Sequence, residues 1–97
     1  MRYLELVYND QTYREENQIN KILLENDLSW LIDCEIENAR IEIKNKTLIW
    51  NGGDFFTGEW HYGIFKSGSF FGIFENGILE GGKFLGKFIS GIKKSKS

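Results

Sequence analysis

The sequence predicts a mainly β domain of the α+β type. An N-terminal strand and helix pack on a sheet of glycine-spaced aromatic repeats, built either from short hairpins or as a short β-solenoid. Three observations carry this. From Trp30 onward, apolar and polar residues alternate with a period of two. From Gly53, glycines and aromatics recur in units of 15, 14 and 14 residues. Ahead of both, a single segment has the spacing of an amphipathic helix.

Each element follows from its residues. Arg2-Tyr3-Leu4-Glu5-Leu6-Val7-Tyr8 is rich in strand-forming side chains, and Asn9-Asp10 supplies a turn. Thr12-Tyr13-Arg14-Glu15 has the spacing of a capping box, with Thr12 as the N-cap and Glu15 reaching back. Ile19, Ile22 and Leu23 then fall on one helical face, and Asn26-Asp27 ends it, which predicts a helix over 13–25. Ile32, Cys34 and Ile36 alternate with Asp33, Glu35 and Glu37. The phase then slips, so that Ala39, Ile41 and Ile43 carry the apolar face. A slip of one residue would turn that face outward, so Asn38 is expected to be a bulge or turn. Leu48-Ile49-Trp50 reads as a further short strand, closed by Asn51-Gly52-Gly53.

The 97 residues are expected to form a single domain: a strand-helix segment (1–31), alternating strands (32–52) and three repeats (53–95). The hydrophobic fraction of 41% excludes a disordered chain, and the single cysteine excludes a disulfide scaffold. No apolar run is long enough for a transmembrane segment, and the start lacks the pattern of a signal peptide. A cytoplasmic protein is the expectation. Charge is asymmetric. Residues 1–43 hold ten acids against four bases, and residues 44–97 hold eight lysines against four acids, ending in the basic stretch Lys93-Lys94-Ser95-Lys96-Ser97. Such a split can mark a polyanion-binding half, but ordinary solubility chemistry with an untidy terminus is the favoured reading.

The repeat constrains the backbone. Glycine every four or five residues forbids a helix, because each interior glycine costs roughly 1 kcal/mol against alanine. Asn76-Gly77 carries the two-residue hairpin signal, and Ser67-Gly68 and Ser90-Gly91 carry weaker ones. A unit of this size cannot bury its own face, so neighbouring units must stack.

Phe56-x-Gly58-x-Trp60-x-x-Gly63, Phe70-x-Gly72-x-Phe74-x-Asn76-Gly77-x-x-x-Gly81 and Phe84-x-Gly86-x-Phe88-x-x-Gly91 resemble the core of MORN repeats. The resemblance spans about residues 53–95. It implies tandem β-hairpins in an elongated twisted sheet, used for protein or lipid-head-group contact and for scaffolding. The chain departs from that family in lacking the linker between cores and in carrying serine for the last glycine of two units. The run Gly53, Gly58, Gly63, Gly68 is similar instead to pentapeptide-repeat solenoids. The four-residue steps Gly68 to Gly72 and Gly82 to Gly86 break that register, and the hairpin array is the preferred reading.

No residue pattern points to catalysis, a cofactor or a metal. His61 stands beside Trp60 and Tyr62 with no nucleophile near in sequence, so a surface histidine in an aromatic patch is expected. Cys34 lies in the apolar phase of its strand and reads as a small buried hydrophobe. One cysteine and one histidine cannot complete a four-ligand zinc site. The aromatics crowd too densely for one small sheet to bury all of them. Trp60, Tyr62, Phe65, Phe71 and Phe74 are therefore expected to be exposed and to form a contact surface. Asp33, Glu35 and Glu37 would line one strand face and steer a basic partner. The function expected is a non-catalytic protein-interaction module, so the expected partner is another protein. A phage-type inhibitor that blocks a host nucleic-acid-binding machine through the acidic strand face is one alternative. Binding of single-stranded nucleic acid or a lipid head group is another, although Glu59, Glu75 and Glu80 dilute the lysines that would serve it. An open sheet edge could also pair with a second copy as a homo-oligomer.

Overall fold

A computed structural model of the chain describes residues 1–94. The last residue expected in the third repeat, 95, and the end of the basic tail, 96–97, lie outside the described residues. Strand β1 (Tyr3–Tyr8) turns through Asn9 and Asp10 into β2 (Gln11–Tyr13), with Tyr8 opposite Gln11. Both turn residues have positive φ, 51° and 63°, as a two-residue type I′ turn requires.

Helix α1 (Glu16–Glu25) starts later than the capping-box spacing predicts. Thr12 and Tyr13 are held extended by pairing with Val7 and Leu6, so Thr12 cannot serve as the N-cap. Glu15 takes that role, its carboxylate accepting from the amides of Asn17 (3.0 Å) and Gln18 (3.2 Å). The helix ends where expected: Asn26 is the C-cap and Asp27 leaves it at a φ of 60°. Ile19, Ile22 and Leu23 bury the inner face. A short 3-10 turn, Ser29–Leu31, follows. The Arg2 guanidinium fastens it to β1, donating to the carbonyls of Leu31 (3.2 Å), Ile32 (3.2 Å) and Cys34 (2.6 Å).

Strand β3 (Glu35–Lys44) lies between β1, which it joins in parallel, and β4 (Thr47–Thr57), which it joins antiparallel. The bulge expected at Asn38 is present: its φ is 54° and the pairing with β4 shifts between Glu37 and Arg40. Ile36 and, after the shift, Ala39, Ile41 and Ile43 all remain buried. Strand β4 does not stop at Asn51-Gly52-Gly53. It runs on to Thr57, with Gly52 opposite Arg40 and Phe55 opposite Ile36, and so becomes the first side of the repeat region.

The remaining strands are two residues each: β5 (Glu59–Trp60), β6 (Ile64–Phe65), β7 (Ser69–Phe70), β8 (Ile73–Phe74), β9 (Ile78–Leu79), β10 (Lys83–Phe84), β11 (Lys87–Phe88) and β12 (Ile92–Lys93). They coil into a three-sided β-solenoid of about three turns. The first face stacks Ile49-Trp50, β6, β9 and β12; the second stacks Asp54-Phe55, β7 and β10; the third stacks β5, β8 and β11. Every one of these pairings is parallel, which corrects the preferred hairpin reading. A hairpin reverses the chain and pairs antiparallel neighbours, whereas here the backbone turns a corner and meets itself one turn on. Asn76-Gly77 shows why. Gly77 has a φ of 121° but Asn76 does not share the left-handed region, so the pair cannot form the type I′ reversal.

The inward residue of each side is a large apolar one, and successive turns stack like on like. Trp50 lies on Phe65 (centroids 5.6 Å), Phe55 on Phe70 (4.6 Å) and Phe70 on Phe84 (5.3 Å). On the third face Trp60 lies on Phe74 (5.8 Å) and Phe74 on Phe88 (5.4 Å). Columns meet edge to face, as between Phe65 and Phe70. Each such ring contributes about 1.5–3 kcal/mol by burial, and each favourable pair roughly 0.5–1.5 more. The same core continues under α1 and the sheet of β1, β3 and β4.

Candidate functional site

Alternation decides which rings meet solvent. Trp60, Phe65 and Phe74 occupy inward positions and are completely buried, which corrects the expectation that they form a contact surface. Their neighbours point outward instead, because successive side chains on a strand alternate faces. Phe71 and Tyr62 are exposed as expected. They are not brought together: Phe71 lies on the second face, while Tyr62 lies beyond the third, just before β6, and does not line the strip described next.

Phe56 follows inward Phe55, and Phe71 follows inward Phe70 one turn later, so both rings project from the second face. They stack with centroids 5.8 Å apart and an interplanar angle of 17°. Leu85 continues this outward column on the third turn, and Ile73 flanks it on the third face. Between the two faces runs a shallow groove floored by Gly58, Gly72 and Gly86 and edged by Glu59 and Lys87. A side chain at Gly72 would sit 2.7 Å from Phe55 Cε1 and 2.8 Å from the Gly58 carbonyl, so the floor must stay bare. The result is an exposed apolar strip on a rigid backbone. Phe56 has the right spacing to be read from the sequence, as the second ring of the Phe55-Phe56 pair; Leu85 and Ile73 become visible only once the turn length is known.

The acidic row is looser than its spacing predicts. Asp33 precedes β3, and only Glu35 and Glu37 belong to the strand. Glu35 accepts from the Thr57 hydroxyl (3.4 Å), and Glu37 is paired with the N-terminal ammonium (3.2 Å). Asp33 lines a second shallow groove with Ser29, Trp30, Cys34, Gly58, Glu59 and His61. His61 is at the surface and stacks on Trp30, with centroids 5.5 Å apart. Its Nε2 lies 3.7 Å from Glu59 Oε1, and Glu75, one turn below, completes a set of three ligand atoms within 4.8 Å of one another. Two carboxylates and an imidazole are competent donors for a divalent transition metal. All three residues are exposed, so the set is open to water. Glu75 is 14 residues from His61, so only the repeat period could reveal the pairing.

Cys34 is buried, as its strand phase predicts. Its Sγ lies 3.3 Å from the Trp30 carbonyl, and burial pushes its pKa up to about 11, which leaves it a poor nucleophile at neutral pH. Burial likewise raises the Tyr3 phenol. The indole N–H of Trp60 is buried without a hydrogen-bond partner among the described residues. No helix among the described residues is long and apolar enough to cross a membrane. No family model matches the chain, nor does any curated protein or solved structure.

Proposed function

We propose that this chain is a non-catalytic protein-interaction module whose contact surface is the lateral strip of Phe56, Phe71, Leu85 and Ile73. The observation that carries this reading is the outward stack of Phe56 on Phe71. The inward columns form the core, whereas these two rings stack on each other outside it and stay 38% and 41% exposed. Rigid aromatic and aliphatic side chains lose little entropy on contact and dominate interface energetics. The glycine floor lets a partner approach the backbone closely, and Glu59 and Lys87 offer a polar rim of both signs.

The test is capture of partners by the immobilised chain, comparing wild type, the double variant Phe56→Ser/Phe71→Ser, and Leu24→Ser. Leu24 is exposed on α1, away from the strip. Captured protein is expected to disappear with the double variant and to persist with Leu24→Ser, while all three chains keep a cooperative thermal transition above the temperature of the assay. Equal capture by wild type and the double variant would remove the strip from the contact. If equal capture instead weakens steeply with added salt, the contact belongs to the acidic residues Asp33, Glu35 and Glu37.

A further inference from the structure

We infer that the occupant of the lateral strip is a second copy of this chain, docked antiparallel about a twofold axis that lies along the middle turn. This rests on the reading of the strip as a contact surface and names what covers it.

The apolar column of Phe56, Phe71 and Leu85 is flanked by charge on both sides, and the two flanks carry the same pattern. On the second face, the outward residues two positions earlier are Asp54, Ser69 and Lys83, aligned through the ladder of β4, β7 and β10. On the third face, the far edge of the groove is Glu59, Ile73 and Lys87, aligned through β5, β8 and β11. Each flank thus runs from an acid on the first turn, through an uncharged residue on the second, to a lysine on the third. Ladder neighbours are about 4.8 Å apart, so acid and lysine stand about 10 Å apart along each flank. Strand β3 extends the acidic end, with Glu37 opposite Asp54 and Glu35 opposite Thr57. The N-terminal ammonium pairs with Glu37 (3.2 Å) and offsets one of these charges. Outward side chains point sideways, across the direction in which turns stack, so a further turn would leave them facing out.

This pattern selects the occupant. A nucleic acid or an anionic lipid surface would meet lysines at one end and acids at the other. A uniformly basic or acidic segment suits one end and opposes the other. The complement must carry lysines over the first turn, acids over the third and apolar groups between them. A second copy turned end for end carries all of this. Phe71 and Ile73 then face their own counterparts, Phe56 faces Leu85, Asp54 faces Lys83 and Glu59 faces Lys87, and each unlike pair occurs twice, as an isologous contact requires. A copy docked in the same direction would set acid against acid and lysine against lysine. Exposed charge pairs add little affinity, but they fix the register and exclude the wrong docking. The apolar contact has four side chains from each copy, far fewer than the roughly 20–30 residues a side of a standard interface, so the dimer is expected to be weak, with a Kd of about 0.01–1 mM.

Sedimentation equilibrium of the full chain, from about 10 μM to about 2 mM at low salt, reads the association. Asp54→Lys/Glu59→Lys makes both ends of the strip basic, and Lys83→Glu/Lys87→Glu makes both acidic. Each double variant alone should self-associate about tenfold or more weakly than the wild type, while an equimolar mixture of the two should associate at least as tightly. The direction of docking is read with a short bis-maleimide. Phe56→Cys and Leu85→Cys should cross-link to each other when mixed, and neither should cross-link to itself; the wild type, whose Cys34 is buried, gives the background. The inference is overturned by a monomer throughout the range, by either charge variant self-associating like the wild type, by a mixture that fails to associate, or by Phe56→Cys linking to itself. A monomer whose capture of another protein is still abolished by Phe56→Ser/Phe71→Ser would keep the strip as a contact surface and exclude only the second copy. A dimer that Phe56→Ser/Phe71→Ser leaves intact would exclude the strip as its interface.

Discussion

Cys34 is placed where its sulfur is held as a thiol. Its thiol donates to the Trp30 and Glu59 carbonyls, at 3.3 and 3.8 Å. Burial is the larger effect, raising its pKa from the ordinary 9.0 to about 11. The unfolded chain therefore loses this proton first. Stability is fully present below about pH 9 and declines as pH rises through about 11. Tyr3, raised above 10.0 by its own burial, adds to the decline in the same direction. Urea midpoints measured from neutral to alkaline pH should fall, and Cys34→Ala should flatten the earlier part of that fall while leaving the part due to Tyr3. An unchanged profile in Cys34→Ala would mean that other groups control the alkaline limit. This residue was legible in the sequence because Ile32, Cys34 and Ile36 alternate with acids. Trp60 was equally legible, flanked by Glu59 and His61 in the same alternation. The density of rings argued for exposure, and it misled because three converging faces bury far more rings than one sheet face can.

Among the elements, the solenoid corners carry the sharpest sequence requirement. Gly72 has no positive φ, so its constraint is purely one of space, with Phe55 Cε1 and the Gly58 carbonyl occupying the place of a methyl group. Gly52, within β4, has only the Arg40 side chain near, no closer than 3.6 Å. Gly72→Ala should thus cost about 2 kcal/mol or more through overpacking. Gly52→Ala should be neutral or stabilising by up to about 1 kcal/mol, because the unfolded chain loses freedom. Denaturant unfolding of both variants measures the difference, and equal effects would show that the corner relaxes. The four-residue steps ending at Gly72 and Gly86 obscured the architecture in the sequence. They do not break the solenoid; they shorten one side, and the corner tightens by close backbone approach instead of a left-handed residue. The helix was legible in its apolar face and its end but not in its start. The deciding contact, Tyr13 opposite Leu6, is tertiary pairing that overrides the local capping signal.

For the molecule as a whole, the stacking of turn on turn sets a gradient of stability along the described residues. Solenoid turns contact only their neighbours, so the free energy to open one rises with the number of turns stacked beyond it. Along the first face, the amides of Lys66, Glu80 and Lys94 donate to Trp50, Phe65 and Leu79 at 2.9, 2.9 and 2.8 Å. These near-equal distances mean that bond geometry cannot make them exchange differently. What differs is the column behind them. Trp50 and Phe65 lie between other rings, whereas Leu79 is followed by Lys93, whose ammonium turns over the Phe84 ring at 5.6 Å and ends the apolar stack. Amide exchange should therefore accelerate from Lys66 to Glu80 to Lys94, by about tenfold or more per turn if each turn adds 1.4 kcal/mol or more to the opening cost. Nuclear magnetic resonance of the exchanging chain reads all three sites in one experiment. Equal protection at the three amides would mean that the turns open only as one cooperative unit with the N-terminal sheet.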